Sequence, residues 1–211
     1  MRAASRMIIK ICGLTTIGDA LAAAEAGADM IGLNFYIRSP RFVSTETASK
    51  IAAALPGRIC KVGLFVEEPA RSVRKIAELL GLDAVQLHGS YPRGIAGKLP
   101  RFTLIRAFHV AAEEDLDQLE TAEADYFLLD GLAAGLHGGT GRRCDWSLAS
   151  KAKDYGRIIL AGGLTPGNVA EAVREVRPDG VDVASGVESA PGRKDIELMR
   201  RFVEAARAAA G

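Results

Sequence analysis

Apolar residues fall along this chain in short runs, each followed by a longer stretch in which they recur at helical spacing. Short runs bounded by turn residues predict buried strands, and the stretches between them predict amphipathic helices. The first strand is Met7 to Cys12, and Gly13-Leu14-Thr15-Thr16 leads into a helix from Ile17 to Ala26 closed by Gly27. Asp29 to Phe35 is a second strand, followed by a loop, Tyr36 to Val43, and a helix capped at Ser44 that reaches Leu55. Ile59 to Val66 is a third, with a helix from about Pro69 to Leu80 that stops at Gly81. Asp83 to Leu87 is a fourth, ahead of His88-Gly89 and a helix broken by Gly and Pro. Phe102 to Phe108 is a fifth, with an acidic helix from Ala111 to Thr121. Asp125 to Asp130 is a sixth, followed by a Gly-rich loop, Gly131 to Arg143, and a short helix from about Asp145. The seventh, Ile158 to Ala161, meets Gly162-Gly163 and a helix opening at Thr165 with Pro166 as its first residue. The eighth lies in GVDVASGV, Gly180 to Val187, and ends in the turn Ala184-Ser185-Gly186; Lys194 to Ala210 closes the chain as a helix.

Strand and helix alternating eight times predict an α/β fold, a (β/α)8 barrel, with residues 1–211 as one catalytic domain. An open doubly wound sheet is the competing architecture, though it usually needs fewer strands for this length. In either fold, function belongs at the C-terminal ends of the strands.

Side chains alternate along a strand. In MIIKIC the all-apolar face, Met7, Ile9 and Ile11, suits the helices, which turns Lys10 and Cys12 into the barrel with Cys12 at the open end. In the eighth strand Val181 and Val183 face the helices and Asp182 turns inward. That strand closes the barrel beside the first, so Lys10 and Asp182 are expected to pair, because an unpaired interior charge is costly. The same parity turns Gln86, His88 and Asp130 inward. Each ionisable group at this mouth also has a plainer reading: a small buried hydrophobe for Cys12, a polar filler for His88, a turn residue for Asp130. Cys12 and Asp130 stand out because each ends a strand and is followed at once by Gly.

Gly162-Gly163 and Ser185-Gly186 are side-chain-poor turns where backbone N–H groups can approach an anion. Singly, each also fits a tight turn that needs only glycine's backbone freedom. Two in succession near the C-terminus match the phosphate grip of the last two barrel loops and predict a phosphorylated small-molecule substrate. The loop YIRSPRF brings Arg38 and Arg41 near the mouth, either as a solvated loop or as a carboxylate clamp. His137 to Trp146, HGGTGRRCDW, reads as a linker or a mobile lid, its GGTG being too short and misplaced for a nucleotide fingerprint.

Composition narrows the partners. Of 211 residues, 48% are hydrophobic, enough for a substantial core. The 27 Lys and Arg against 26 Asp and Glu leave a net charge of +1, so no basic excess points to nucleic acid or to an anionic membrane. Three cysteines, Cys12, Cys60 and Cys144, without CxxC suggest neither a disulfide framework nor a zinc site and favour a cytoplasmic location. Met1 to Arg6 and the short run after it are too short for a signal peptide or membrane span. Aliphatic residues on the barrel helices suit either a monomer or a homodimer face.

These residues resemble the phosphoribosylanthranilate isomerase family of tryptophan biosynthesis. The motifs that carry the resemblance run in order: KICG (Lys10 to Gly13), GLNFYIRSPRFVS (Gly32 to Ser44), VGLFV (Val62 to Val66) and VQLHG (Val85 to Gly89). They continue with LLDG (Leu128 to Gly131), GGTGRRCDW (Gly138 to Trp146), AGGLTPGNV (Ala161 to Val169) and the VDVASGVES-PG-KD block from Val181 to Asp195. The resemblance implies a barrel without cofactor or metal that performs an Amadori rearrangement of N-(5-phosphoribosyl)anthranilate to the 1-deoxyribulose. It implies the Cys of KICG, Cys12, as general base and the Asp ending strand six, Asp130, as general acid. Arg41 is implied to bind the anthranilate carboxylate, and Gly162, Gly163, Ser185 and Gly186 to hold the phosphate. His88 is counted with these substrate-binding residues. The chain departs from the family pattern at Cys144, often aromatic there, and at Ile37, often Pro.

The implied chemistry asks for opposite tuning. Ring opening needs a proton on the ring oxygen, so Asp130 starts protonated with a raised pKa, whereas removing the C2′ proton needs Cys12 as thiolate. The iminium nitrogen formed on opening serves as the electron sink. Three other functions stay open on sequence: a histidine-pathway aminoaldose isomerase, which has Asp where Cys12 stands; a metal-dependent epimerase, which needs more than His88, His109 and His137; and a catalytically silent phosphate-ligand sensor, which would lack the acid or the base.

Overall fold

The computed structural model describes residues 6–131 and 145–211, and eight parallel strands in sequence order close into a barrel at its centre. They are β1 (Ile8–Cys12), β2 (Met30–Asn34), β3 (Cys60–Val66), β4 (Ala84–His88), β5 (Thr103–His109), β6 (Tyr126–Asp130), β7 (Ile158–Leu160) and β8 (Gly180–Val183). Around them lie α1 (Ile17–Ala26), α2 (Thr45–Ala54), α3 (Ala70–Leu80), α4 (Ile95–Lys98), α5 (Asp117–Glu120), α6 (Trp146–Ala152), α7 (Val169–Val176) and α8 (Ile196–Ala210). The closed (β/α)8 barrel expected from the alternation is the fold. The Gly-rich loop and Cys144 lie outside the described residues.

Capping chemistry sets the helix ends where the sequence placed them. The Thr16 hydroxyl accepts from the Asp19 N–H at 3.1 Å and Gly27 ends α1 in the left-handed region; Ser44 caps α2 and Asp195 caps α8 in the same way. Three helices differ from expectation, the closing one only in starting at Ile196, since Lys194 lies in a short strand ahead of it. The acidic helix after β5 is a 3-10 turn, Glu113–Leu116, followed by the one-turn α5, because the Asp115 carboxylate accepts from both the Ala111 and Ala112 N–H groups and ties the stretch into a cap. The helix after β7 has Val169, not Pro166, as its first residue. The Asn168 side chain accepts from the Thr165 N–H and donates to the Gly163 carbonyl, holding this stretch as a turn. Beyond β8, which stops at Val183, a short antiparallel pair forms: β9 (Glu188–Ala190) and β10 (Arg193–Lys194), turning through Pro191-Gly192.

A fourfold device fixes the strand register at the N-terminal end of the barrel. Immediately before each even-numbered strand stands an aspartate whose Oδ2 accepts a backbone N–H from the preceding odd strand. Asp29 takes Ile9, Asp83 takes Lys61, Asp125 takes Leu104 and Asp179 takes Ile158, at 2.7 to 2.9 Å. A carboxylate at this position satisfies a strand-entry donor and locks its neighbour's register.

Apolar side chains divide into two cores. Ile9, Ile11, Ile31, Leu33, Val85, Leu87, Leu129 and Leu160 pack with the helices, whereas Met30, Val62, Ala84, Ile105, Tyr126, Leu128 and Ile159 fill the barrel interior. The parity read from β1 and β8 holds. Lys10 lies opposite Asp182 in the closing register, fully buried, with Nζ donating to Oδ1 at 2.8 Å. Burial works to lower the Lys10 pKa and is the largest single influence, but the Asp182 carboxylate and the Cys12 sulfur together outweigh it and hold the ammonium above its usual value.

Removing one partner of such a pair leaves a buried charge without its counter-ion. Asp182→Asn is therefore expected to cost about 3 to 5 kcal/mol of stability, read from the urea unfolding midpoint. An unchanged midpoint would mean that the pair contributes nothing to holding the barrel closed.

Candidate active site

At the C-terminal strand ends, side chains from around the barrel converge on one cavity. Cys12, Arg41, His88, Asp130, Gly162, Gly163, Ser185 and Gly186 all line it, together with Asn34, Gln86 and Asp182. Arg38, on the same loop as Arg41, is exposed and does not.

Two glycines make room on the β1 side. A Cβ at Gly32, the register partner of Cys12, would stand 2.6 Å from the Cys12 sulfur, and one at Gly13 would stand 2.5 Å from the Arg41 Cδ. The absence of side chains there lets the thiol and the guanidinium stem pack against the strand end. Arg41 is buried, and its Nε and Nη2 donate to the two Glu188 carboxylate oxygens at 2.8 and 2.7 Å. Glu188 also accepts from the Lys194 Nζ at 2.8 Å. Burial by itself would raise the Glu188 pKa, but these two cations hold it below the usual carboxylate range.

The opposite wall is built from backbone. A Cβ on Gly162 would fall 2.3 Å from the Gly131 nitrogen and 2.9 Å from an Asp130 oxygen, and one on Gly186 would fall 1.9 Å from the Leu164 carbonyl oxygen. The turns after β7 and β8 therefore press together and against the end of β6, leaving bare backbone facing the cavity. On the floor, the Gln86 side-chain amide nitrogen and His88 Nε2 approach to 2.6 Å.

The two ionisable groups that end β1 and β6 are both pushed toward their neutral forms. Burial, followed by the nearby Asp182 carboxylate, raises Asp130 to about 6. Burial also raises the Cys12 thiol, with Lys10 the largest opposing influence. The first matches the tuning that the sequence led one to expect. The second runs opposite to it, because the desolvation of a thiolate at this depth outweighs the cations beside it.

Sequence reasoning gave no role to Glu188 or Lys194, although both stand in a motif it singled out. Their signal was a Glu and a Lys flanking Pro191-Gly192, a turn that brings both back over the mouth. Among the described residues no cluster of three His, Cys, Asp or Glu converges as a metal site, and no helix is long and apolar enough to cross a membrane.

The chain has counterparts among known proteins. A family model described as N-(5'phosphoribosyl)anthranilate (PRA) isomerase matches residues 9–205. The N-(5'-phosphoribosyl)anthranilate isomerase of Geobacter sp. (strain M21) is 49% identical over 199 residues, spanning 94% of this chain and 97% of that protein. The crystal structure of phosphoribosyl anthranilate isomerase from Thermotoga maritima is similar with a TM-score of 0.89 at 40% identity, covering 96% of this chain and 99% of that one. Another solved structure, similar with a TM-score of 0.86 at 38% identity over the same shares, is a phosphoribosyl anthranilate isomerase in complex with reduced 1-(o-carboxyphenylamino)-1-deoxyribulose 5-phosphate.

A carboxyl group whose folded-state pKa is raised destabilises the fold where it is ionised. For Asp130 this cost is full above about pH 6 and disappears below the unfolded value near 3.8, so its contribution to stability falls as pH rises through that window. Asp130→Asn is expected to stabilise the protein at pH 8 by on the order of 2 kcal/mol and to lose that advantage by about pH 4. Urea unfolding of both proteins at the two pH values checks this.

Proposed function

We infer the roles of these residues from a premise: the chain belongs to the N-(5'-phosphoribosyl)anthranilate isomerase family and is an isomerase of tryptophan biosynthesis. The reaction turns an aminoaldose into an aminoketose by moving two protons, with Asp130 as general acid and Cys12 as general base. The observation that carries this reading is the order of elements around the cavity. The phosphate-type turns of β7 and β8 stand between β6, which ends in Asp130, and β1, which ends in Cys12.

A phosphate seated on the Gly162-Gly163 and Ser185-Gly186 backbone places the ribose between those two side chains. Asp130, neutral when its raised pKa is satisfied, gives its proton to the ring oxygen as the C1′–oxygen bond breaks, and the anilino nitrogen takes up the positive charge as an iminium. Cys12 as thiolate then removes the C2′ proton, and those electrons flow into the iminium to give the enolamine that becomes the ketone. The thiol's raised pKa makes the thiolate a strong base once formed and a minor species before that. The cavity does not wait for a general charge field; bound iminium supplies a positive charge close to the sulfur.

The anthranilate carboxylate is assigned to Arg41, on the loop beside β1. Glu188 occupies the Nε–Nη2 edge of that guanidinium, which leaves the end-on edge, Nη1 with the second Nη2 proton, to accept a carboxylate with two parallel hydrogen bonds. His88, beside Gln86 on the floor, is assigned to the sugar hydroxyls. The similar solved structure is a complex with reduced 1-(o-carboxyphenylamino)-1-deoxyribulose 5-phosphate, whose phosphate and carboxyphenyl groups support a site that takes both.

Loss of anthranilate-linked fluorescence on mixing freshly generated phosphoribosylanthranilate with the enzyme tests the roles. Cys12→Ser and Asp130→Asn are each expected to lower kcat by about 10²- to 10⁴-fold, while Arg41→Met raises KM more than it lowers kcat. A folded Cys12→Ser or Asp130→Asn variant that kept wild-type turnover would remove that residue from the mechanism.

A further inference from the structure

The charges gathered under the mouth do not balance once the proposed acid carries its proton. Around Cys12 stand Lys10 on its own strand, paired with Asp182 on β8, and Arg41 on the loop after β2, which lines the same cavity; Lys194 on β10 reaches that cavity's wall, its Nζ donating to the carbonyl of the lining residue Ala184. Asp182 answers Lys10 and Glu188 answers Arg41 through a two-point ion pair, while Lys194 shares Glu188. Among the described residues one cation is left over, Lys194, and its side chain is fully buried.

The position of Lys194 is built, not incidental. Its Nζ donates to the Ala184 carbonyl at 2.9 Å and to Glu188 at 2.8 Å, so it sits directly beneath the turn that follows β8. The hairpin that carries it is fastened to the β1 side: the Thr15 hydroxyl donates to the Gly192 carbonyl at 2.7 Å, and the Lys194 N–H donates to Asp19 at 3.3 Å. Burying an ammonium this way is costly unless an anion repays it. Among the described groups that act on its charge, the one not yet used as an anion is the Cys12 sulfur.

We propose that Lys194 is a positioning residue for the base, a buried ammonium held by Glu188 and the Ala184 carbonyl so that the Cys12 thiolate, when it forms, completes the charge balance of the site. It acts with Lys10, one cation from β1 and one from the C-terminal hairpin, and Glu188 ties it to the Arg41 that receives the substrate's carboxylate. The directions of titration agree, since Cys12 raises Lys194 and Lys194 lowers Cys12, each against the larger effect of burial. This inference rests on Cys12 being the base of the isomerase reaction.

The thiolate absorbance near 240 nm, taken as the difference between the enzyme and its Cys12→Ser variant and followed from about pH 6 to about pH 11, reads the Cys12 titration without using activity. In Lys194→Met, whose apolar stem keeps the volume and leaves Glu188 paired with Arg41, the midpoint is expected to rise by about one pH unit or more. The ascending limb of kcat against pH should rise with it, and Lys194→Arg should bring both back. Lys194→Gln gives the same reading should the methionine variant fold poorly. A Cys12 midpoint unchanged in a folded, charge-free variant would overturn the proposal and leave Lys194 as a structural tie. If instead Cys12→Ser kept its turnover while the Lys194 variant still moved the thiol, the assignment of the base would fall and the electrostatic pairing would stand.

Discussion

The ion pair between Lys10 and Asp182 spans the seam where the first strand meets the last. A parallel barrel closes only if its two chain-distant edges find each other, and this seam joins residues 172 positions apart. Both side chains point inward, away from water, so neither is tolerable without the other. Their meeting fixes the closing register, with Ile9 against Val181 and Ile11 against Val183. It also sets, one pleat above, the level at which Cys12 stands beside the Ala184-Ser185-Gly186 turn at the cavity.

The two ends of the barrel answer different demands. At the N-terminal end, Asp29, Asp83, Asp125 and Asp179 each lock one strand pair through a backbone N–H, which serves register and stability. At the C-terminal end the chain gives up such economy. Asp130 is half-buried against its preference, the thiol of Cys12 is desolvated, and glycines stand at 13, 32, 162 and 186 where any Cβ would collide with a neighbour. Groups tuned away from their ordinary pKa values cluster here because a proton-transfer site needs them, and the pinned end compensates for the cost.

On the proposed reading a proton is given on one side of a sugar and taken on the other, and the two tasks fall on separate strands. Asp130 and Cys12 stand on β6 and β1, with the glycine-bearing turns of the two strands between them. Burial pushes both toward neutrality, which suits the proposed acid at once and leaves the proposed base dependent on its cations. That asymmetry gives a purpose to the charged side chains behind the mouth, Lys10, Lys194 and the Arg41–Glu188 pair, which no simple account of substrate contact would require.

The sequence by itself determined the barrel, because alternation of short apolar runs with capped helices is a local signal: Thr16 and Ser44 mark their own helix starts, and parity alone turned Lys10, Cys12, Gln86 and Asp182 inward. It also picked out Cys12, Asp130 and the two glycine turns, since a polar residue or glycine that interrupts an apolar run at a strand end is conspicuous along the chain. What it misjudged locally was the helix after β7, where the Asn168 side chain outcompetes the backbone for Thr165 and Gly163. Only the tertiary structure decided that Glu188 faces Arg41 and Lys194, that both Arg41 donors on one edge are already engaged, and that burial outweighs Lys10 at the Cys12 sulfur. Those are properties of charge at short distance and low dielectric, set by which distant segments fold over one mouth, and no spacing along the chain encodes them.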